Sequence, residues 1–141
     1  MSDLSLIKEL REKTGAGFLD CKNALSENDN NIEQSIDSLR KKGLAKASKK
    51  SSREANEGAV GFYKNENISV ILKINSETDF SAKSDTFLDF LDSIGDIALN
   101  TNNINLNLND FLKVEDNGKS ISDLLTQMIA KIGENLIIND L

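Results

Sequence analysis

No histidine occurs in the 141 residues of this chain. Its absence removes the commonest general base and the commonest metal ligand. The one cysteine, Cys21, cannot close an internal disulfide. Without histidine beside it, a zinc site of the usual kind is not available either. A chain this poor in cysteine suits a reducing compartment. No apolar run approaches the ~20 residues needed to span a bilayer. Met1-Ser2-Asp3-Leu4 shows neither the basic n-region nor the apolar h-region of a signal peptide, so a cytoplasmic protein is expected. Neither GxGxxG nor GxxxxGK followed by Ser or Thr is found, so no phosphate-cradling loop is visible. Carboxylates are plentiful, but their spacing marks no acid–base pair. No catalytic residue, cofactor or metal site is predicted, and the chain is not expected to be an enzyme.

A basic excess is also missing. The net charge is −6, which argues against a whole-surface nucleic-acid binder. The cations are unevenly placed, however. Arg40, Lys41, Lys42, Lys46, Lys49, Lys50 and Arg53 form a stretch with no acid inside it. A solvated helical linker is the simplest reading. A contact with an acidic protein surface or with RNA phosphates is the functional one. No aromatic is interleaved, so base stacking would have no platform.

What is present divides into two regions. Residues 1–50 read as three short helices. Leu4, Ile7 and Leu10 recur at helical spacing in the first, and Gly15 stands where a left-handed C-cap is wanted. Phe18, Cys21, Ala24 and Leu25 share a face of the second. Ile32, Ile36 and Leu39 keep the period in the third, with Asn31 and Gln34 placed as a capping box. Residues 45–55, rich in Lys, Ser and Ala, read as a helical extension loosening into a linker, with the boundary at 51–56.

Residues 57–141 read as a core of α+β type. Val60 and Phe62 begin a strand, and Lys64-Asn65-Glu66-Asn67 is a turn. Ile68, Val70, Leu72 and Ile74 then alternate with polar residues, the period of a strand with one buried face. A helix carrying Phe87, Phe90 or Leu91, Ile94 and Ala98 can cover this hairpin. Residues 100–109, rich in Asn, should be loop. Ser120 can cap a helix carrying Ile121, Leu124, Leu125, Met128 and Ile132, which Gly133 ends. Leu136-Ile137-Ile138 looks like a third strand. The sequence stops just after it, which points to a fragment or to a partner that continues the sheet.

Between the second strand and its covering helix lies Glu77-Thr78-Asp79-Phe80-Ser81-Ala82-Lys83. An acid and a large aromatic meet at a strand-to-helix corner, a place where binding residues tend to be displayed. Thr78 or Asp79 could instead serve as the N-cap of the following helix, with Phe80 folded back under the sheet.

Three segments, in order, resemble one family. They are Leu10-Arg11-Glu12-Lys13-Thr14-Gly15-Ala16-Gly17-Phe18-Leu19-Asp20-Cys21-Lys22-Asn23-Ala24-Leu25, then Thr78-Asp79-Phe80 with Ala82-Lys83, then Ala130-Lys131-Ile132-Gly133-Glu134-Asn135. The family is bacterial elongation factor Ts, the guanine-nucleotide exchange factor of the GTPase elongation factor Tu. The resemblance covers nearly the whole chain but only the front of the family's usual length; the second core subdomain is absent. It implies a three-helix domain of ubiquitin-associated type at 1–50, a linker at 51–56 and a core subdomain at 57–141. It also implies that Asp79 and Phe80, with Ser81 and Ala82, dock near the GTPase's nucleotide and disturb its Mg²⁺. Ser81 departs from the family's usual aliphatic residue, which removes an apolar contact and leaves the aromatic in place. Phe18 and Leu19, where the family often has methionines, and Ile132 with Gly133 are implied as further contacts. The nucleotide is placed on the partner, so this chain is expected to bind none itself.

Two other readings stay open. The loop Thr14-Gly15-Ala16-Gly17-Phe18 could present Phe18 to a polypeptide, making the chain an adaptor. Residues 40–53 could bind RNA, although the acidic balance disfavours a nucleic-acid partner.

Overall fold

The computed structural model describes residues 3–141; Met1 and Ser2, which begin the N-terminus that shows no signal peptide, lie outside it. Among the described residues the fold is α+β: an N-terminal helical bundle, then a small antiparallel sheet packed with helices.

The bundle is α1 (Leu4–Thr14), α2 (Phe18–Glu27) and α3 (Ile32–Lys50). Asp3 caps α1 by accepting the Ser5 N–H, and Gly15 closes it in the left-handed conformation. Asn31 caps α3 through the Gln34 N–H. Ile7, Leu10, Cys21, Ala24 and Leu25 form the bundle's core, with Ile32, Ile36 and Leu39 packed against it. Two stripe residues depart from the expected pattern. Leu4 and Phe18 each open their helix at the bundle's surface, and they are 70 % and 47 % exposed.

The third helix is not short. It continues for 19 residues, through most of the stretch expected to loosen. Ala and Lys favour the helix intrinsically, and Ala47 packs against the second core. Near Gly43, α3 runs close to Thr126 of α7 (Ile121–Ile132). The residues between Lys50 and Glu57 carry no helix or strand.

The sheet has the order β1-β2-β5, from β1 (Glu57–Lys64), β2 (Ser69–Ser76) and β5 (Ile137–Asp140). The hairpin register runs from Glu57↔Ser76 to Lys64↔Ser69. Asn65 Oδ1 fixes its turn by accepting the N–H groups of Asn67 and Ile68, each at 2.8 Å. Leu72 and Ile74 face the core, covered by α5 (Asp85–Asn100) through Phe87, Phe90, Leu91, Ile94 and Ala98. Val60 and Phe62 lie on β1 but face outward, each 62 % exposed. The inward positions are Ala59, Gly61 and Tyr63. Tyr63 fits because Gly95 lacks a side chain: a Cβ there would stand 2.4 Å from the ring.

Of the segment 100–109, only 101–107 is loop, because Asn100 ends α5. A one-turn helix, α6 (Leu108–Phe111), follows and buries Phe111 completely. A two-residue turn at Asn117 and Gly118, both with positive φ, then joins β3 (Glu115–Asp116) to β4 (Lys119–Ser120). Ser120 caps α7, and Gly133 ends it in the left-handed conformation.

Candidate functional site

Strand β2 ends at Ser76, and the chain turns at once into a helix of its own, α4 (Asp79–Ala82). Thr78 caps this single turn, accepting the Ser81 N–H at 3.3 Å. The long helix α5 has a separate cap, Ser84, which accepts the Phe87 N–H at 3.2 Å. The corner is therefore not the frayed start of α5. It is an independent turn set between a strand and a helix.

This turn decides where Phe80 points. Ala82 is 7 % exposed and belongs to the main core. Residues two apart on a helix face directions roughly 200° apart. With Ala82 inward, Phe80 must face out, and it is 85 % exposed, the most exposed large apolar side chain among the described residues. It does not fold back under the sheet. Ala82 itself is a floor beneath the turn and offers almost no surface. Asp79 is also exposed, with Lys83 Nζ at 3.6 Å one helical turn on.

A second segment holds the turn in place. Glu134 follows Gly133 at the end of α7. Its Oε1 accepts the N–H groups of Glu77 and Thr78, both at 3.0 Å. Its Oε2 accepts the hydroxyls of Thr78 at 2.8 Å and Ser81 at 2.6 Å. In return, Glu77 Oε1 accepts the N–H of Asn135 at 2.7 Å. The buried Asn135 amide donates to the Arg53 carbonyl at 2.8 Å, which ties in the chain before β1. Burial works to raise the Glu134 pKa, but the hydrogen bonds from Ser81, Thr78 and Glu77 outweigh it. They hold the carboxyl below the usual glutamate range.

The reversal at Gly133 makes this clamp possible. Its φ of 84° is a conformation that glycine adopts without strain. Gly133 is exposed beside the clamp, and Ile132 is half-buried against the core. The tertiary structure thus brings Ile132 and Gly133 to the Asp79–Ala82 corner, although they are distant in sequence. Phe18 and Leu19 are not part of this neighbourhood. They open α2 on the helical bundle, at 47 % and 65 % exposure. The positioning roles of Glu134, Asn135 and Glu77 are not evident from the sequence. Their signal there is membership of the motifs: Glu134 and Asn135 end the third family-like segment, and Glu77 opens the corner stretch.

The segment containing both halves of this clamp, residues 77–141, matches the family model described as Elongation factor TS. Elongation factor Ts of Allorhizobium ampelinum is 46 % identical over 134 residues, covering 95 % of this chain and 43 % of that relative. The chain is similar to bacterial elongation factor Ts over nearly its whole length. Elongation factor Ts of Rhizobium etli is 45 % identical over 138 residues, covering 96 % of the chain and 44 % of its own length. That of Spiroplasma citri is 44 % identical over 133 residues, covering 94 % and 44 %. The chain thus spans under half the length of the elongation factor Ts relatives it matches. Among its described residues, no helix is long and apolar enough to cross a membrane.

Proposed function

We propose that this chain acts in the cytoplasm as a guanine-nucleotide exchange element of translation, binding the GTPase elongation factor Tu and promoting GDP release. The observation that carries the reading is Phe80, fully displayed on a turn that is clamped from behind by Glu134. An exposed apolar side chain on a rigid support is suited to be inserted into a partner, because little entropy remains to be lost on docking. An aromatic supplies large contact area with few rotatable bonds.

Exchange of this kind needs no catalytic residue in the exchange factor. GDP on a GTPase is held by Mg²⁺ and by phosphate contacts to backbone N–H groups. A wedge that disturbs the metal weakens both. By linkage, GDP and the exchange factor weaken each other's binding by the same factor. In this reading Asp79 and Phe80 act at the metal, Ser81 and Ala82 shape the turn beneath them, and Ile132 with Gly133 flank it. Residues 1–50 form a helical unit that anchors through Phe18 and Leu19, residues 51–56 connect, and residues 57–141 carry the exchange element. The chain binds no nucleotide itself.

The test is the rate of GDP release from elongation factor Tu with and without this chain. Acceleration that is lost in Phe80→Ala supports the reading. No acceleration by the folded chain would defeat it.

A further inference from the structure

A cleft of about 680 Å³ lies where the helical bundle meets α7 and the β3–β4 turn, away from the Phe80 corner. That volume is within the range of ligand pockets. One end is bridged by Lys119, whose ammonium donates to the Lys13 carbonyl at 2.8 Å. The floor is apolar, with Ala16, Ile36, Leu39 and Ala130 among its lining.

The rim is basic. Arg11 and Lys13 come from α1, and Arg40, Lys42 and Lys46 from α3. Lys119 and Lys131 close the far side. Only two acids, Asp20 and Asp123, line the cleft. Seven of the chain's 17 cations thus gather with two of its 23 acids, in a molecule of net charge −6. Asp20 is already engaged by Lys46 at 3.6 Å. Neither Arg11 nor Lys131 belongs to an ion pair among the described residues. Lys13, Arg40 and Lys42 pair with Glu9, Asp37 and Glu27 outside the lining, so Arg11, Lys119 and Lys131 are the cations left to focus a positive potential into the cleft.

We propose that this cleft binds an acidic peptide segment that carries apolar side chains. The rim matches carboxylates, as in other acidic-motif sites built on clustered cations. The floor matches small aliphatic groups. A nucleic acid fits less well, because no aromatic lines the cleft to stack a base. The cleft's own residues support this assignment, independently of the GTPase reading.

Fluorescence anisotropy tests it, using a short fluorescein-labelled peptide of glutamates interspersed with leucines. The whole chain should bind this peptide, and added salt should weaken the complex. Arg11→Glu combined with Lys131→Glu should weaken it about tenfold or more. Lys64→Glu, on the hairpin outside the cleft, should leave it unchanged. Circular dichroism establishes that each variant is folded. Replacing the leucines by serines should reduce affinity. No binding of the peptide, equal binding by the double variant, or indifference to the serine change would overturn the proposal. Tighter binding of oligouridylate than of the peptide would overturn it in favour of a nucleic-acid surface.

Discussion

Ser81 donates its hydroxyl to Glu134 Oε2 at 2.6 Å, across 53 positions of sequence. Ser81 is thus turned toward the clamp, where an aliphatic side chain could make no such bond.

Glu134→Ala should therefore loosen the corner without unfolding the core. It leaves the Glu77 and Thr78 N–H groups and two hydroxyls without their acceptor. Loss of hydrogen bonds to a charged group costs about 1–3 kcal/mol. Hydrogen exchange should show the amides of Glu77 and Thr78 exchanging faster, while those of Leu72 and Ile74 stay protected. Ser81→Ala should produce a smaller change of the same kind.

The clamp also predicts an acid dependence. Folding holds the Glu134 pKa below its ordinary value of 4.5, so the ionised form favours the native state. That contribution is complete above the ordinary value and is lost as pH falls through the lower, folded one. Thermal melts of the wild type and Glu134→Gln should converge as the pH is lowered into that range. A constant gap between the two curves would show that the charge does not stabilise the fold.

Phe80→Ala and Phe111→Ala form a paired test of display against burial. Phe80 is almost wholly exposed and Phe111 wholly buried. Truncating Phe111 should cost about 3–5 kcal/mol and lower the melting point clearly. Truncating Phe80 should leave the melting point nearly unchanged and slow GDP release from elongation factor Tu. A marked loss of stability in Phe80→Ala would assign the side chain to the fold.

Tyr63, the single tyrosine, reports on the covered face of the sheet. Its hydroxyl donates to Asp92 Oδ1 at 2.8 Å. Burial, then the hydrogen bond and charge of Asp92 and the charge of Asp96, push its pKa well above 10.0. The neutral phenol thus favours folding below pH 10.0, and that contribution is lost as the pH rises above it. Absorbance titration should show one tyrosine ionising later than free tyrosine and together with unfolding. Asp92→Asn should bring the titration down.

Gly95→Ala should destabilise the chain, although alanine is the better helix former. The propensity gain is about 1 kcal/mol. The added Cβ would meet the Tyr63 ring at 2.4 Å, and relieving such overpacking typically costs about 1–3 kcal/mol. So close an approach puts the steric cost above the propensity gain, and the net effect is a loss of stability. Gly95→Ala in a Tyr63→Ala background should recover stability relative to Tyr63→Ala alone, as calorimetry would show.

Much of the fold was legible because it is written in local periods. Leu72 and Ile74 alternate and are buried, and Phe87, Leu91, Ile94 and Ala98 repeat with the helical turn and are buried. Capping chemistry is also local, which is why Asn31, Ser120, Gly15 and Gly133 could be placed from their neighbours. The Asn117-Gly118 turn carries an equally local signal, the positive φ that both residue types tolerate. It follows the Asn-rich segment, whose loop-like composition masks both this turn and the short helix that buries Phe111.

The sequence by itself determined the longer helices, the hairpin, the buried stripes of β2 and α5, and the presence of an acid and an aromatic at one corner. It did not determine where Phe80 points, because its pattern allows a corner phenylalanine to face core or solvent. That choice was settled by Ala82 entering the core and by a carboxylate 54 residues beyond Phe80. Likewise, Arg11, Arg40 and Lys131 lie far apart along the chain and gather only when α3 packs against α7. Hydrogen bonds and charge clusters between remote segments have no period in the sequence. They exist only once hydrophobic burial has brought those segments together.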